Sequence, residues 1–154
     1  MREILFRGQT RRYGEKVRIG DGAKLPSEWV YGGVMQGKGD HSIIYGGENM
    51  DDPGEGVDKR IVYTDTLGQY TGLTDKNGRK IFEGDIVRIR GDQTSADWKW
   101  VDYTALIAFI DGGFCAIDGT VEEHGFRRYG LHRMDFDLEV IGTIHDNPEL
   151  LEEG

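Results

Sequence analysis

The chain has 154 residues, 37% apolar and 31% charged, which excludes a disordered polymer and fits one globular domain or two small halves. Its formal charge of −9 excludes a general nucleic-acid coat, because a strongly acidic surface repels polyanions. Glycine, at 24 copies against three prolines and with no period, exceeds average usage and reads as many tight turns between short strands.

In chain order, Ile4-Leu5-Phe6 predicts a first strand that ends near Gly8. Residues 9–28 are polar and basic, carry Gly20, Gly22 and Pro26, and read as loop or irregular edge. Trp29-Val30-Tyr31 begins a second strand, which Gly32-Gly33 should break. Ser42 to Tyr45 is a third strand, closed by Gly46-Gly47, and residues 48–58 form a Gly-rich acidic loop. Arg60 to Thr64 is β-branched and aromatic and reads as strand.

The second half carries sharper signals. Asn77-Gly78, between residues 69–73 and 80–82, is a strong short hairpin signature. After Gly84-Asp85, Val87 and Ile89 share one face of a strand, and Arg88 and Arg90 share the other. Residues 91–100 form a polar loop with Trp98 and Trp100. The apolar run Thr104 to Ile110 turns at Asp111-Gly112-Gly113 into Phe114 to Ile117, a second hairpin. Val121 to His124 could start a short helix, limited by Gly125 and Gly130. From Met134 to Ile141 the pattern alternates, with Phe136, Leu138 and Val140 inward and Asp135, Asp137 and Glu139 toward water. Asn147 is the expected N-cap, and Pro148 the first residue, of a short terminal helix.

Other features bound the setting. Cys115 is the sole cysteine, so no intrachain disulfide can form, and its apolar neighbours mark it as a small buried hydrophobe. Met1 to Arg7 lacks the apolar run of a signal peptide, and no stretch reaches the length of a membrane span. The expected compartment is a reducing cytosol. Residues 1–19 hold six basic side chains against Glu3 and Glu15, an asymmetry that can steer a partner or pair the two ends of the chain, although a solvated surface of mixed charge is the plainer reading.

Three stretches together resemble the YopX family of phage and prophage proteins: Met1 to Gly8 with Trp29 to Gly32 downstream, Gly68 to Val87, and Glu139 to Leu151. They come in that family's order, and the central one is long and specific. The resemblance implies a phage-associated, mainly β fold in a bacterial host. It brings no enzymatic activity and no catalytic residues. The turn, strand-entry and cap residues within these stretches are folding devices.

Each motif that could carry chemistry has a plainer reading. Gly32 to Gly39 nearly matches a phosphate-binding loop, but Gly39 stands where Ser or Thr is needed, and a strand follows instead of a helix. His41, His124, His132 and His145 lack the i, i+4 spacing of a helical zinc site. Glu83 with Asp85, and Asp135 with Asp137 and Glu139, could pair as acid and base, yet alternating acids are ordinary on a half-exposed strand. Ser27, Ser42 and Ser95 sit in no nucleophile elbow. Arg88, Arg90, Trp98, Lys99 and Trp100 would supply cations and stacking rings for single-stranded nucleic acid, against the global charge.

The sequence thus predicts a mainly β protein with a short-stranded barrel-like or sandwich core, an SH3-like pseudobarrel being one form of it. It places a β and irregular, Gly-rich subdomain at 1–67, a barrel-like subdomain at 68–154, the two packed as one unit, and a short C-terminal helix. The expected role is a non-catalytic module, without cofactor, metal or membrane, that binds a phage or host protein or self-associates as a homo-oligomer. Its expected contact residues are Trp29, Tyr31, Arg88, Arg90, Trp98, Trp100, Arg11 and Arg12. The alternative is a nucleic-acid-binding small β-barrel, and an enzyme of unrecognised type ranks last.

Overall fold

Eleven strands and one short α-helix make up the described part of the chain, which in the computed structural model comprises residues 3–15, 26–46, 59–92, 100–118, 128–130 and 137–152. The expected helix start at 121–124, the acidic loop at 48–58, and Ser95, Trp98, Lys99, His124, His132, Asp135 and Phe136 lie outside these residues. The chain divides into two units, Met1–Tyr70 and Thr71–Gly154. The fold is mainly β and antiparallel throughout, as the dense glycine and alternating pattern predict.

The first unit contains β1 (Phe6–Arg11), β2 (Glu28–Met35), β3 (His41–Tyr45), β4 (Lys59–Tyr63), a 3₁₀ turn at Thr64–Thr66 and the start of β5 (Gly68–Thr74). Its strands run in the order β4-β3-β2-β1-β5. Two glycines expected to end strands lie inside them. Gly8 sits within β1 because a Cβ there would stand 2.8 Å from Val62 Cγ2 of β4. The sheet coils until β4 lies over β1, and only glycine lets the backbone come that close. Gly32 lies within β2, where a Cβ would collide with the Tyr45 carbonyl oxygen of β3. Ile44 and Val62 fill the inner side of this curl.

In the second unit, β5 continues and is followed by β6 (Lys80–Phe82). The remaining strands are β7 (Asp85–Asp92), β8 (Trp100–Ile110), β9 (Gly113–Asp118), β10 (Arg128–Gly130) and β11 (Asp137–Thr143), in the order β10-β9-β8-β7-β11. Period-2 alternation fixes their register: Val87 lies opposite Ala105 and Val140, and Ile89 opposite Tyr103 and Leu138. With Ile81, Ile107 and Ala116 these residues form the core, and Cys115, the neighbour of Ala116 on β9, is also buried.

Both hairpin expectations hold, each with its own mechanism. Asp111 and Gly112 link β8 to β9 with φ of 51° and 79°, and two positive φ values define the type I′ turn that matches strand twist. The turn at Asn77-Gly78 is held by Asp75, whose Oδ1 accepts the N–H groups of Asn77 and Arg79, each at 2.9 Å. Its Oδ2 accepts the buried Val140 N–H of β11 at 3.0 Å. Burial pushes the Asp75 carboxyl up, but these three donors outweigh it and leave the group below the usual carboxylate range.

The terminal helix α1 (Glu149–Glu152) follows Pro148. The Asn147 side chain does not turn toward it. Its Oδ1 accepts the Thr143 N–H at 3.3 Å and fills the space a Cβ on Gly142 would need. Asn147 therefore closes the end of β11.

Candidate interaction surface

The ladder registers decide which side chains share a face in the first unit. Gln9 lies opposite Trp29 and Arg7 opposite Tyr31. Met35 lies opposite Ile43, and Ile43 opposite Ile61. Directly opposed residues point the same way, and every second residue along a strand joins them. The outer side of β1–β4 therefore carries Arg7 and Gln9, then Trp29, Tyr31 and Met35, then His41, Ile43 and Tyr45, then Lys59, Ile61 and Tyr63. None of these is a carboxylate.

Over β1 this outer side is covered, with Arg7 5% and Gln9 1% exposed. Across β2–β4 it is open: Tyr31 is 47%, Met35 59% and Ile61 66% exposed. Met35, Ile43 and Ile61 form one row across three strands. In the neighbouring row the Tyr45 ring lies against Gly33, 3.3 Å from where a Cβ would be. Sequence reasoning singled out Trp29 and Tyr31 but missed Met35, Ile43 and Ile61. The alternation of Ile61 with buried Val62 was visible, but the identity of the inner residue required the curl of the sheet.

Arg7 and the two expected contact cations of this unit, Arg11 and Arg12, all have partners. Arg7 stacks on Trp29, its guanidinium carbon 4.4 Å from the ring centroid. Arg11 is shifted by a bulge between Gln9 and Arg11 onto the inner side, opposite Glu28. There Glu28 accepts from Thr10 at 2.9 Å and pairs with Arg11 at 3.3 Å and with Arg60. The Thr10 hydrogen bond first, then the Arg60 and Arg11 charges, hold its carboxyl below the usual range against the opposing effect of burial.

Arg12 lies just beyond β1 and reaches the other edge of the curl. Its Nη2 donates to both Asp65 oxygens at 2.8 and 2.9 Å, and its guanidinium lies 4.3 Å from the Tyr63 ring centroid. The Tyr63 hydroxyl donates to Glu15 Oε1, and Glu15 Oε2 accepts the Arg12 N–H. The Arg12 N–H, then the tyrosine hydroxyl, draw the Glu15 carboxyl below its ordinary value, and that same Glu15 contact raises the Tyr63 hydroxyl. Residues 12–15 are thus clamped to the end of β4.

The remaining expected contact residues belong to the second unit. Arg88 lies opposite Thr104 and Glu139, and Arg90 opposite Asp102 and Asp137. Asp102 accepts from Arg88 Nε and Nη2 at 2.9 and 3.0 Å and lies 3.7 Å from Arg90 Nε. The Arg88 hydrogen bonds pull the Asp102 carboxyl below its usual range. Three carboxylates thus surround two guanidinium groups, where a basic stripe was expected for nucleic acid. The backbone of Trp100 opens β8 opposite Asp92. The sequence counts agree: residues 71–154 hold 17 acidic and nine basic side chains, against 11 and 10 in residues 1–70. The formal charges are −8 and −1.

The other chemical candidates also resolve. Gly32 to Gly39 is part of the β2–β3 hairpin, with Ser42 Oγ accepting the Gly37 N–H at 2.9 Å and a strand where a phosphate loop needs a helix. Asp85 is buried, and its Oδ2 accepts the Phe82 N–H at 2.7 Å. Glu83 precedes it in the turn, and burial raises its carboxyl. Asp137 and Glu139 face Arg90 and Arg88, and Glu139 also lies 3.4 Å from Lys76. The His41 ring lies 5.2 Å from the Tyr63 ring. Among the described residues no group of three or more His, Cys, Asp or Glu is placed to hold a metal ion, and no helix is long and apolar enough to cross a membrane.

No curated protein matches the chain. Among solved structures it is similar to the crystal structure of protein EF1440 from Enterococcus faecalis, at 25% identity over 98% of this chain and 99% of that one, with a TM-score of 0.47. The family model described as YopX protein matches residues 24–152, a span that includes the central Gly68 to Val87 motif and the terminal Glu139 to Leu151 motif and begins after Met1 to Gly8. The chain therefore belongs to the YopX family.

Proposed function

We propose that this YopX protein is a non-catalytic protein-interaction module of phage or prophage biology, working in the bacterial cytosol through the outer side of β2–β4. The observation that supports it is the in-register row Met35–Ile43–Ile61 with Tyr31 beside it, an apolar patch and not isolated exposed side chains. Aromatic and methionine side chains are enriched at protein interfaces, and none of Tyr31, Met35, Ile43 and Ile61 carries a charge that would have to be desolvated. Nucleic-acid binding is the weaker reading, because Arg88 and Arg90 already share Asp102 within the unit of charge −8.

The test compares the tagged wild-type chain with Ile61→Asp and Met35→Asp in extracts of lysogenic or infected cells. Any recovered protein is then purified and titrated against the chain. The reading expects a partner whose direct binding falls at least ten-fold in both variants. Binding unchanged by either substitution refutes it.

A further inference from the structure

We propose that Asn77 is a site of spontaneous covalent modification, at which the side-chain amide is lost as ammonia and the turn held by Asp75 sets the rate. Backbone geometry is the starting point. Gly78 stands at a φ of 80°, which L side chains rarely adopt, so the turn requires glycine there. That glycine also leaves its backbone nitrogen unshielded, since nothing lies within 4 Å of where its Cβ would be. Asn77 itself is exposed to water. Of the other asparagines, Asn147 precedes a proline, which has no N–H, and Asn49 precedes Met50, whose side chain crowds the same attack.

The reaction needs only water. The Gly78 amide gives its proton to hydroxide, and its nitrogen attacks the Asn77 Cγ. A new C–N bond forms, the carboxamide C–N bond breaks, and the departing group takes a proton from water and leaves as ammonia. The product is a five-membered succinimide. Water then adds to one of its two carbonyls. Opening at Cγ gives aspartate, and opening at the main-chain carbonyl gives isoaspartate, whose chain runs through Cβ and Cγ. One water enters, one ammonia departs, and nothing is oxidised or reduced.

The folded turn holds this reaction back. The Gly78 N–H donates to the Asp75 carbonyl at 3.0 Å, and the Asp75 N–H donates to the Arg79 carbonyl at 2.7 Å. Asp75 Oδ1 also accepts from Asn77 and Arg79. The succinimide nitrogen carries no hydrogen, so ring closure must break the Gly78–Asp75 bond. Modification therefore passes through transient opening of the turn, and its rate tracks the open population. It is also one-way. Isoaspartate adds a main-chain carbon between residues 77 and 78, so the Asn77 and Arg79 N–H groups lose the spacing that lets them share Oδ1. The turn is tied to β11 through Asp75 Oδ2 on the Val140 N–H and the Lys76 N–H on the Leu138 carbonyl, so the loosening reaches a core strand.

The full chain is held for weeks at mildly alkaline pH, folded or unfolded in guanidinium chloride, and sampled by peptide mapping with electron-transfer fragmentation, which separates aspartate from isoaspartate. The expected result is conversion at Asn77 that is several-fold slower in the folded wild type than in the unfolded chain. Asp75→Ala, shown by circular dichroism to be folded, should convert several-fold faster than wild type. Asp75→Asn provides a milder variant that must fall between them and serves alone if Asp75→Ala does not fold. Gly112→Ala, which weakens the same unit without touching this turn, must stay close to the wild-type rate. The isoaspartate form, separated by ion exchange, should unfold at a lower urea midpoint than the unmodified chain. Equal rates in folded and unfolded wild type overturn the proposal, as do Asp75 variants no faster than wild type, or acceleration in Gly112→Ala to match theirs. An isoaspartate form with the wild-type midpoint overturns the link to β11.

Discussion

Asp75 offers the most direct test of how the second unit is held. Its carboxylate accepts three backbone N–H groups, two from the turn at 2.9 Å and one from Val140 in β11 at 3.0 Å. The turn is further tied to β11 by the Lys76 N–H, which donates to the Leu138 carbonyl. Replacing Asp75 with alanine removes three charge-assisted hydrogen bonds. Water can reach Asn77 and Arg79, which are exposed, so their loss is partly compensated. The Val140 N–H is buried and has no such substitute, so it bears a desolvation cost of about 1–3 kcal/mol. The total is expected near 3 kcal/mol, a large share of the stability of a domain of this size. Asp75→Asn, which keeps one acceptor and adds an amide donor among donors, should cost about 2 kcal/mol.

The same residue gives a pH dependence. Its folded carboxyl lies below its unfolded value, so the stabilisation is complete well above the unfolded value of about 3.9 and is lost as pH falls through the folded one. Urea unfolding followed by tryptophan fluorescence at neutral pH, and again from pH 5 downward, measures both effects. The wild type should lose more stability on acidification than Asp75→Asn does. A neutral-pH cost below about 1 kcal/mol for Asp75→Ala, or identical acid profiles for wild type and Asp75→Asn, would refute the assignment.

Three further predictions concern separate elements. Gly8→Ala should cost about 1–3 kcal/mol in chemical unfolding, because its Cβ would collide with Val62, whereas Gly39→Ala, with nothing within 4 Å, should change stability by less than about 0.5 kcal/mol. Gly112→Ala at a φ of 79° should cost about 1 kcal/mol by the same assay, and Gly112→Asn should cost less, since asparagine tolerates that backbone region. Arg88→Ala should let the Asp102 carboxyl rise toward its ordinary value, read by NMR titration, as Arg90 alone holds it at 3.7 Å.

Much of the second unit was legible because its signals are local. Val87, Ile89, Leu138 and Val140 alternate with charged residues, and a strand with one buried side must keep that register. Asp111-Gly112 specifies its own turn, since the required φ values depend on those two residues alone. What pairs with what was not legible. Arg88 and Arg90 looked like free cations until the register placed Asp102, Asp137 and Glu139 around them. Asp75 resembled any turn acid, yet its Oδ2 reaches Val140, 65 residues away. Gly8 and Gly32 resembled strand ends for the same reason: glycine's value there lies in what approaches it from another strand.

Period, turn chemistry and composition by themselves determined a mainly β chain of short antiparallel strands, with the hairpins at Asn77-Gly78 and Asp111-Gly112 and a buried Cys115. They could do so because φ/ψ preference and side-chain alternation act between residues a few positions apart. Only the tertiary structure decided which side of β2–β4 is open, which arginines are neutralised, and that Met35, Ile43 and Ile61 stand in one row. Those facts depend on the coiling of β4 over β1 and on ladder registers, and both are settled by packing between strands far apart in the chain.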